Sequence, residues 1–249
     1  MSKFLVFLAV LAVALAQTEH DHHSHDEHRV NVAVYYEALC PDSIKFFNKQ
    51  LYPLLNNPKL GHYVNLTLVP YGKSTMKNEN GQIMFTCHHG EGECRGNKLQ
   101  ACTLKHIDDG KNSEGLGYNK MSVDFINCLM ETVERNGDNT KYPTESCAKK
   151  SNITNMVPAI EKCQGDAEGS ELLKQLGDVT NKLKPELTSV PTIVFNNEHK
   201  AEESKLANDN FVKALCNHIQ GTKPMVCNSA ALLGLNSLMV LFALISYFF

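Results

Sequence analysis

Cys40-Pro41-Asp42-Ser43, within YYEALCPDSIKFF (Tyr35–Phe47), sets a sulfur and a hydroxyl three positions apart, one turn of a helix. Pro41 suits a first helical position, where its missing N–H is not needed. A cysteine just ahead of it faces unsatisfied N–H groups and the positive end of the helix dipole. Both favour the thiolate, which is the nucleophile. In a Cys-x-x-Cys pair the first sulfur attacks a substrate disulfide and the second resolves the mixed disulfide. Ser43 holds the resolving position. Its hydroxyl can donate a hydrogen bond to a thiolate but cannot close an internal disulfide. Attack through Cys40 is therefore retained, while resolution falls to an external small thiol. The competing reading makes Cys40 half of a structural bridge.

Parity favours the reactive reading. The chain has nine cysteines, and in an oxidising compartment most of them should pair. Without Cys40 eight remain: Cys87, Cys94, Cys102, Cys128, Cys147, Cys163, Cys216 and Cys227. An even set can close into four bridges, in any of about 105 pairings. Cys216 with Cys227 is the safest pair, across a short loop after a final helix.

The ends of the chain set the compartment. Residues 1–16 carry one lysine, an apolar run and Ala14-Leu15-Ala16, the pattern of a secretory signal peptide, so the mature chain begins near Gln17. Residues 17–29 form a leader in which HDHHSHDEH (His20–His28) is read as a solvated tract whose charge rises with acidity, not as a metal site. Residues 229–249 form an uncharged apolar tail. It fits either a lipid-anchor (GPI) signal or a retained membrane segment, and both readings place the protein at a membrane. The sequons at Asn65 and Asn152 agree with a luminal or extracellular life as a glycoprotein. A net charge of -3, with both signs mixed and no basic run, excludes nucleic acid as a partner.

These side chains need elements to hold them. Val30, Val32 and Val34 alternate as a strand, and Ile44, Phe47, Leu51 and Leu54 recur at helical spacing over about Pro41–Leu55. Tyr63–Val69 alternates again, with Asn65 and Thr67 outward. From about 71 to 185 the chain is rich in cysteine, glycine and asparagine, with helical stretches near Val123–Arg135 and Glu171–Leu183. This segment is read as an insertion held by bridges in place of packing. Val190–Asn196 reads as a strand led by Pro191, with a turn at Asn196-Asn197. Leu206, Phe211, Leu215 and Ile219 mark a closing helix. The order is that of an α/β, thioredoxin-like domain over 30–228 with a large, disulfide-stapled, mainly helical insertion.

The run Cys87–Cys102, CHHGEGECRGNKLQAC, resembles the signature C-Q-H-G-x-x-E-C-x-x-N-x-x-x-x-C of the gamma-interferon-inducible lysosomal thiol reductase family, in an invertebrate form. Cys87, His89, Gly90, Glu93, Cys94, Asn97 and Cys102 match, and His88 stands where the family has glutamine. The resemblance extends through VPTIVFNNEHKAEES to ALCNHIQGTKPMVC. It implies a thioredoxin-like oxidoreductase that reduces protein disulfides in endosomes and lysosomes, in some members for antigen processing or host defence. It needs no cofactor beyond a small thiol. By position Cys40 is similar to the family's nucleophile, and Val190-Pro191 to its substrate-facing cis-proline. Ser43 departs from the family's second active cysteine, which leaves a weakened or thiol-dependent reductase. The alternative is a disulfide-capturing or membrane-displayed binding protein on the same scaffold.

Overall fold

The computed structural model describes residues 29–107 and 115–228. The expected signal peptide, histidine tract and C-terminal tail lie outside the described residues. Among those described, no helix is long and apolar enough to cross a membrane.

Strand β1 (Val30–Tyr36) is the middle of a three-stranded sheet. It runs parallel to β2 (Val64–Pro70), pairing Val30 with Val64 and Tyr36 with Pro70, and antiparallel to β5 (Thr192–Phe195). Val30, Val32, Val34 and Tyr36 share one face of β1 and are all buried, while on the other face Asn31 is exposed, Ala33 half-buried and Tyr35 buried. The helix begun at Pro41 continues as a wider π turn over Phe47–Leu51 and ends as Tyr52–Leu55. That turn precedes Pro53, whose missing N–H interrupts an α-helical ladder. The Phe47 ring lies 4.6 Å from that of Tyr36, seating the helix on β1.

Asn80-Gly81, with φ of 52° and 82°, joins strands β3 (Thr75–Glu79) and β4 (Gln82–Thr86). This hairpin was not read from the sequence, although Asn-Gly is the preferred pair for such a turn. Helices Glu91–Ile107, Lys120–Thr132, Thr144–Lys150, Val157–Gly165 and Ala167–Asn181 follow. They correct the view of a segment stapled in place of packed. Leu99, Phe125, Leu129, Ile153, Val157 and Ile160 form a second buried core, and the Cys102–Cys163 and Cys128–Cys147 bridges lie inside it. Cystine is apolar bulk as well as a cross-link, so each pair serves both ends.

Asn196 and Asn197 both take positive φ and form the expected hairpin turn, closed by an antiparallel bridge between Phe195 and Glu198, before the helix Ala201–Asp209. One boundary at the end of the domain differs from expectation. The closing helix is two helices, broken at Asn210, whose side chain accepts from the Lys213 N–H and caps Phe211–His218.

Candidate active site

Cys40 stands at the N-cap of the first helix with extended φ and ψ of −62° and 123°. Its carbonyl accepts from the Ile44 N–H at 3.0 Å, while its side chain makes no capping bond. The sulfur is left to face the chain across from it. Cys40 Sγ lies 3.9 Å from the carbonyl oxygen of Val190, within reach of a weak S–H donor, and the Val190-Pro191 peptide is cis. Cys40 is 7% exposed and is the free cysteine of the nine. The other eight pair as Cys87–Cys94, Cys102–Cys163, Cys128–Cys147 and Cys216–Cys227.

The proline loop is held from behind. Asn208 Nδ2 donates to the Pro191 carbonyl at 3.0 Å, and the Ile193 N–H donates to Ser204 Oγ at 3.0 Å. Both partners sit on the helix Ala201–Asp209, so that helix fixes the Val190 carbonyl relative to Cys40. A cleft of about 300 Å³ opens beside this loop, lined by Asp42, Lys45, Phe46, Ser189, Val190 and Pro191. Apolar ring, backbone edge and charges of both signs suit an extended segment of polypeptide.

Ser43 is fully buried, and its Oγ accepts from the Glu37 N–H at 3.4 Å. The hydroxyl thus ties the helix back to the loop that carries the sulfur. Asn65 and Asn152, the two sequon asparagines, are exposed, Asn152 with φ of 57°. Asn65 Nδ2 donates to Asn31 Oδ1 at 2.6 Å.

Sequence reasoning missed what the signature residues do. Within the segment expected to be held by bridges in place of packing, the signature run is helix from Glu91 onward. Glu93, Asn97 and Gln100 share one face of it, spaced i, i+4 and i+7, and all three are fully buried. That face is pressed against the segment leading into Cys40. The Ala38 N–H donates to Asn97 Oδ1 at 2.9 Å, and the Tyr36 hydroxyl donates to Gln100 Oε1 at 2.6 Å. Buried polar partners of this kind fix a backbone, because breaking one leaves the other unsatisfied. Polar residues at helical spacing were the available signal.

Glu37, three residues before Cys40, is fully buried as well. Its Oε1 accepts from the Lys73 N–H at 2.7 Å. Gly72 makes this burial possible: its φ is 59°, and a Cβ there would overlap Glu37 Cγ. Glu93 accepts from the His89 N–H at 3.0 Å and lies 2.6 Å from His89 Nδ1. Burial first, and then the charge of Glu37, push the Glu93 carboxyl up from its usual range, against the pull of His89.

A model of the gamma interferon inducible lysosomal thiol reductase (GILT) family matches residues 31–151. GILT-like protein 1 of Drosophila melanogaster is 41% identical over 202 residues, covering 80% of this chain and 79% of that one. The gamma-interferon-inducible lysosomal thiol reductase-like protein of Anopheles gambiae is 42% identical over 201 residues, covering 81% of each. Among solved structures, oxidised BdbD from Bacillus subtilis superposes with a TM-score of 0.53 at 14% identity, covering 81% of this chain and 91% of that one. At that identity the superposition speaks to fold, and the fold is thioredoxin-like. With both insect relatives above 40% identity over four-fifths of its length, the chain belongs to the gamma interferon inducible lysosomal thiol reductase family, as an invertebrate-type member.

Proposed function

We propose that the protein reduces protein disulfides through one nucleophilic sulfur, Cys40, and relies on an external small thiol to finish each cycle. One observation carries the reading. Of nine cysteines, the single unbridged one heads the first helix and faces the carbonyl that precedes the cis Pro191. The Cys40 thiolate attacks one sulfur of a substrate disulfide, joining itself to that sulfur and releasing the other as a thiolate, which takes a proton. A small thiolate then attacks Cys40 Sγ and frees the second substrate sulfur. A second small thiolate attacks the small-molecule sulfur now bonded to Cys40, restoring its thiolate and leaving a small-molecule disulfide. In sum, one substrate disulfide and two small thiols become a substrate dithiol and one small disulfide. Val190 and Pro191 line the cleft in which the substrate chain lies. We place this activity in the secretory route toward endosome, lysosome or cell exterior, with glycans on Asn65 and Asn152, attachment to a membrane through the C-terminal tail, and a part in host defence.

A second reading, capture of disulfide partners without turnover, is favoured by Ser43, since a buried hydroxyl leaves no internal sulfur to release a bound partner. The test is a reduction assay on a denatured disulfide protein, with and without small thiol, for the natural chain and Ser43→Cys. Turnover of the natural chain should require the small thiol. Ser43→Cys should release the mixed disulfide at least about 100-fold faster at millimolar thiol, because an attack within one helical turn replaces a bimolecular one. Stoichiometric trapping that persists in added thiol would replace the reductase reading with capture.

A further inference from the structure

Beside the Cys40 loop, a carboxylate and two imidazoles converge from separate segments. Glu37 Oε2 lies 3.4 Å from His88 Nδ1 and 3.4 Å from His89 Nδ1. The three atoms lie within 4.8 Å of one another. The Glu37 side chain is fully buried, yet Oε2 has no hydrogen bond among the described residues, although Oε1 is satisfied by the Lys73 N–H. A buried carboxylate oxygen without a hydrogen bond is costly unless a positive charge meets it, whether on the two imidazoles or on a bound cation. The two 3.4 Å separations are long for hydrogen bonds. They do match the edge of a tetrahedron of ligands, since metal–ligand bonds of about 2.0–2.1 Å at the tetrahedral angle set neighbouring ligand atoms about 3.4 Å apart.

We propose that Glu37, His88 and His89 form a binding site for one divalent transition-metal ion, zinc(II) by ligand type. Two nitrogens and one carboxylate oxygen suit zinc and disfavour calcium or magnesium, which take oxygen. The carboxylate cancels part of the ion's charge, and the ion supplies the partner that Oε2 lacks. Each imidazole must offer Nδ1 as a lone pair, so its proton resides on Nε2. For His89 this means that Nδ1 must be released from Glu93. The Nδ1 bond to Glu93 Oε2, 2.6 Å long, is given up, while Glu93 keeps the His89 N–H through Oε1 at 3.0 Å. Glu93 then remains as a second negative charge beside the cation. The histidines sit between Cys87 and Cys94, whose bridge fixes the turn that presents them.

His88 stands where the signature has glutamine, so the second imidazole of the site is a departure from that signature. The neighbouring group His106, Cys163 and Glu168 is no rival, since Cys163 is bridged to Cys102 and offers no thiolate. The site owes nothing to the redox chemistry of Cys40, so its failure would leave the reductase reading untouched.

The test titrates zinc(II) into the full mature protein in competition with a chromophoric chelator, for the natural chain and His88→Gln. His88 is half exposed, and its replacement should leave the thermal midpoint in chelator unchanged. Residues 17–29 are the same in both proteins, so any zinc they take up cancels in the comparison. The natural chain should bind one equivalent that His88→Gln holds more than about tenfold more weakly, a loss seen even for outer-shell partners. Zinc should also raise its thermal midpoint by more than that of the variant. Equal stoichiometry and affinity in the two proteins would overturn the proposal. Cobalt(II) in the natural chain gives a readout that needs no variant: tetrahedral visible bands without a sulfur charge-transfer band are expected. An octahedral spectrum alone, or a sulfur band that moves the ion to Cys40, would overturn it.

Discussion

Cys40→Ser is expected to reduce thiol-dependent turnover by more than about 10⁴-fold, down to the rate of the small thiol alone. Removing an attacking atom costs an enzyme nearly the whole of its chemical rate enhancement, and a serine hydroxyl does not replace a thiolate near neutral pH. The substitution isolates chemistry from folding. Cys40 makes no side-chain cap at its helix, whereas serine is among the preferred capping residues. The variant should thus unfold at the same temperature as the natural chain or slightly higher. Initial rates of disulfide reduction, read beside a thermal melt, check both halves. Undiminished turnover in a folded Cys40→Ser protein would remove Cys40 from the chemistry.

The second large effect concerns the insertion. Replacing both Cys102 and Cys163 by alanine should cost about 4 kcal/mol of stability, as expected for opening a loop of this length. The bridge joins residues 61 apart, and its sulfurs are buried in the second core. Removing Cys87–Cys94, which spans 7 residues, should cost only about 2.5 kcal/mol by the same relation. Denaturant midpoints of the two double variants, with unchanged slopes, test the ordering. Equal losses would mean that packing around the sulfurs, and not loop closure, sets their value.

What the sequence disclosed follows from what makes a pattern visible. β1 and the first helix were readable because their apolar residues recur at strand and helix spacing, Val30, Val32 and Val34 in one, Ile44, Phe47 and Leu51 in the other. The helix Glu91–Ile107 was not. Its buried polar face is built from Glu93, Asn97 and Gln100, and a search for apolar periodicity passes over polar residues that each have a hydrogen-bond partner. Gly92 and Gly96 lower helix propensity further. Glu37 was in view from the start and had no role, because its environment comes from Gly72, Lys73, His88 and His89, all distant along the chain. Cys40 and Pro191 were singled out from opposite ends of the domain. Only the fold could bring the sulfur within 3.9 Å of the carbonyl before that proline. Of the disulfides, Cys216–Cys227 was legible because its partners are close along the chain, whereas Cys102 and Cys163 meet through the packing of two helices that a linear spacing does not encode.

The most direct test incubates the mature protein with a disulfide-bonded substrate, quenches with acid, and maps the covalent adducts by mass spectrometry. The account predicts one substrate chain per protein, bonded to Cys40. That adduct should be stable for as long as small thiol is withheld and discharged when it is added. An adduct on any other cysteine, or substrate reduced while Cys40 is found in an internal bridge, would contradict it.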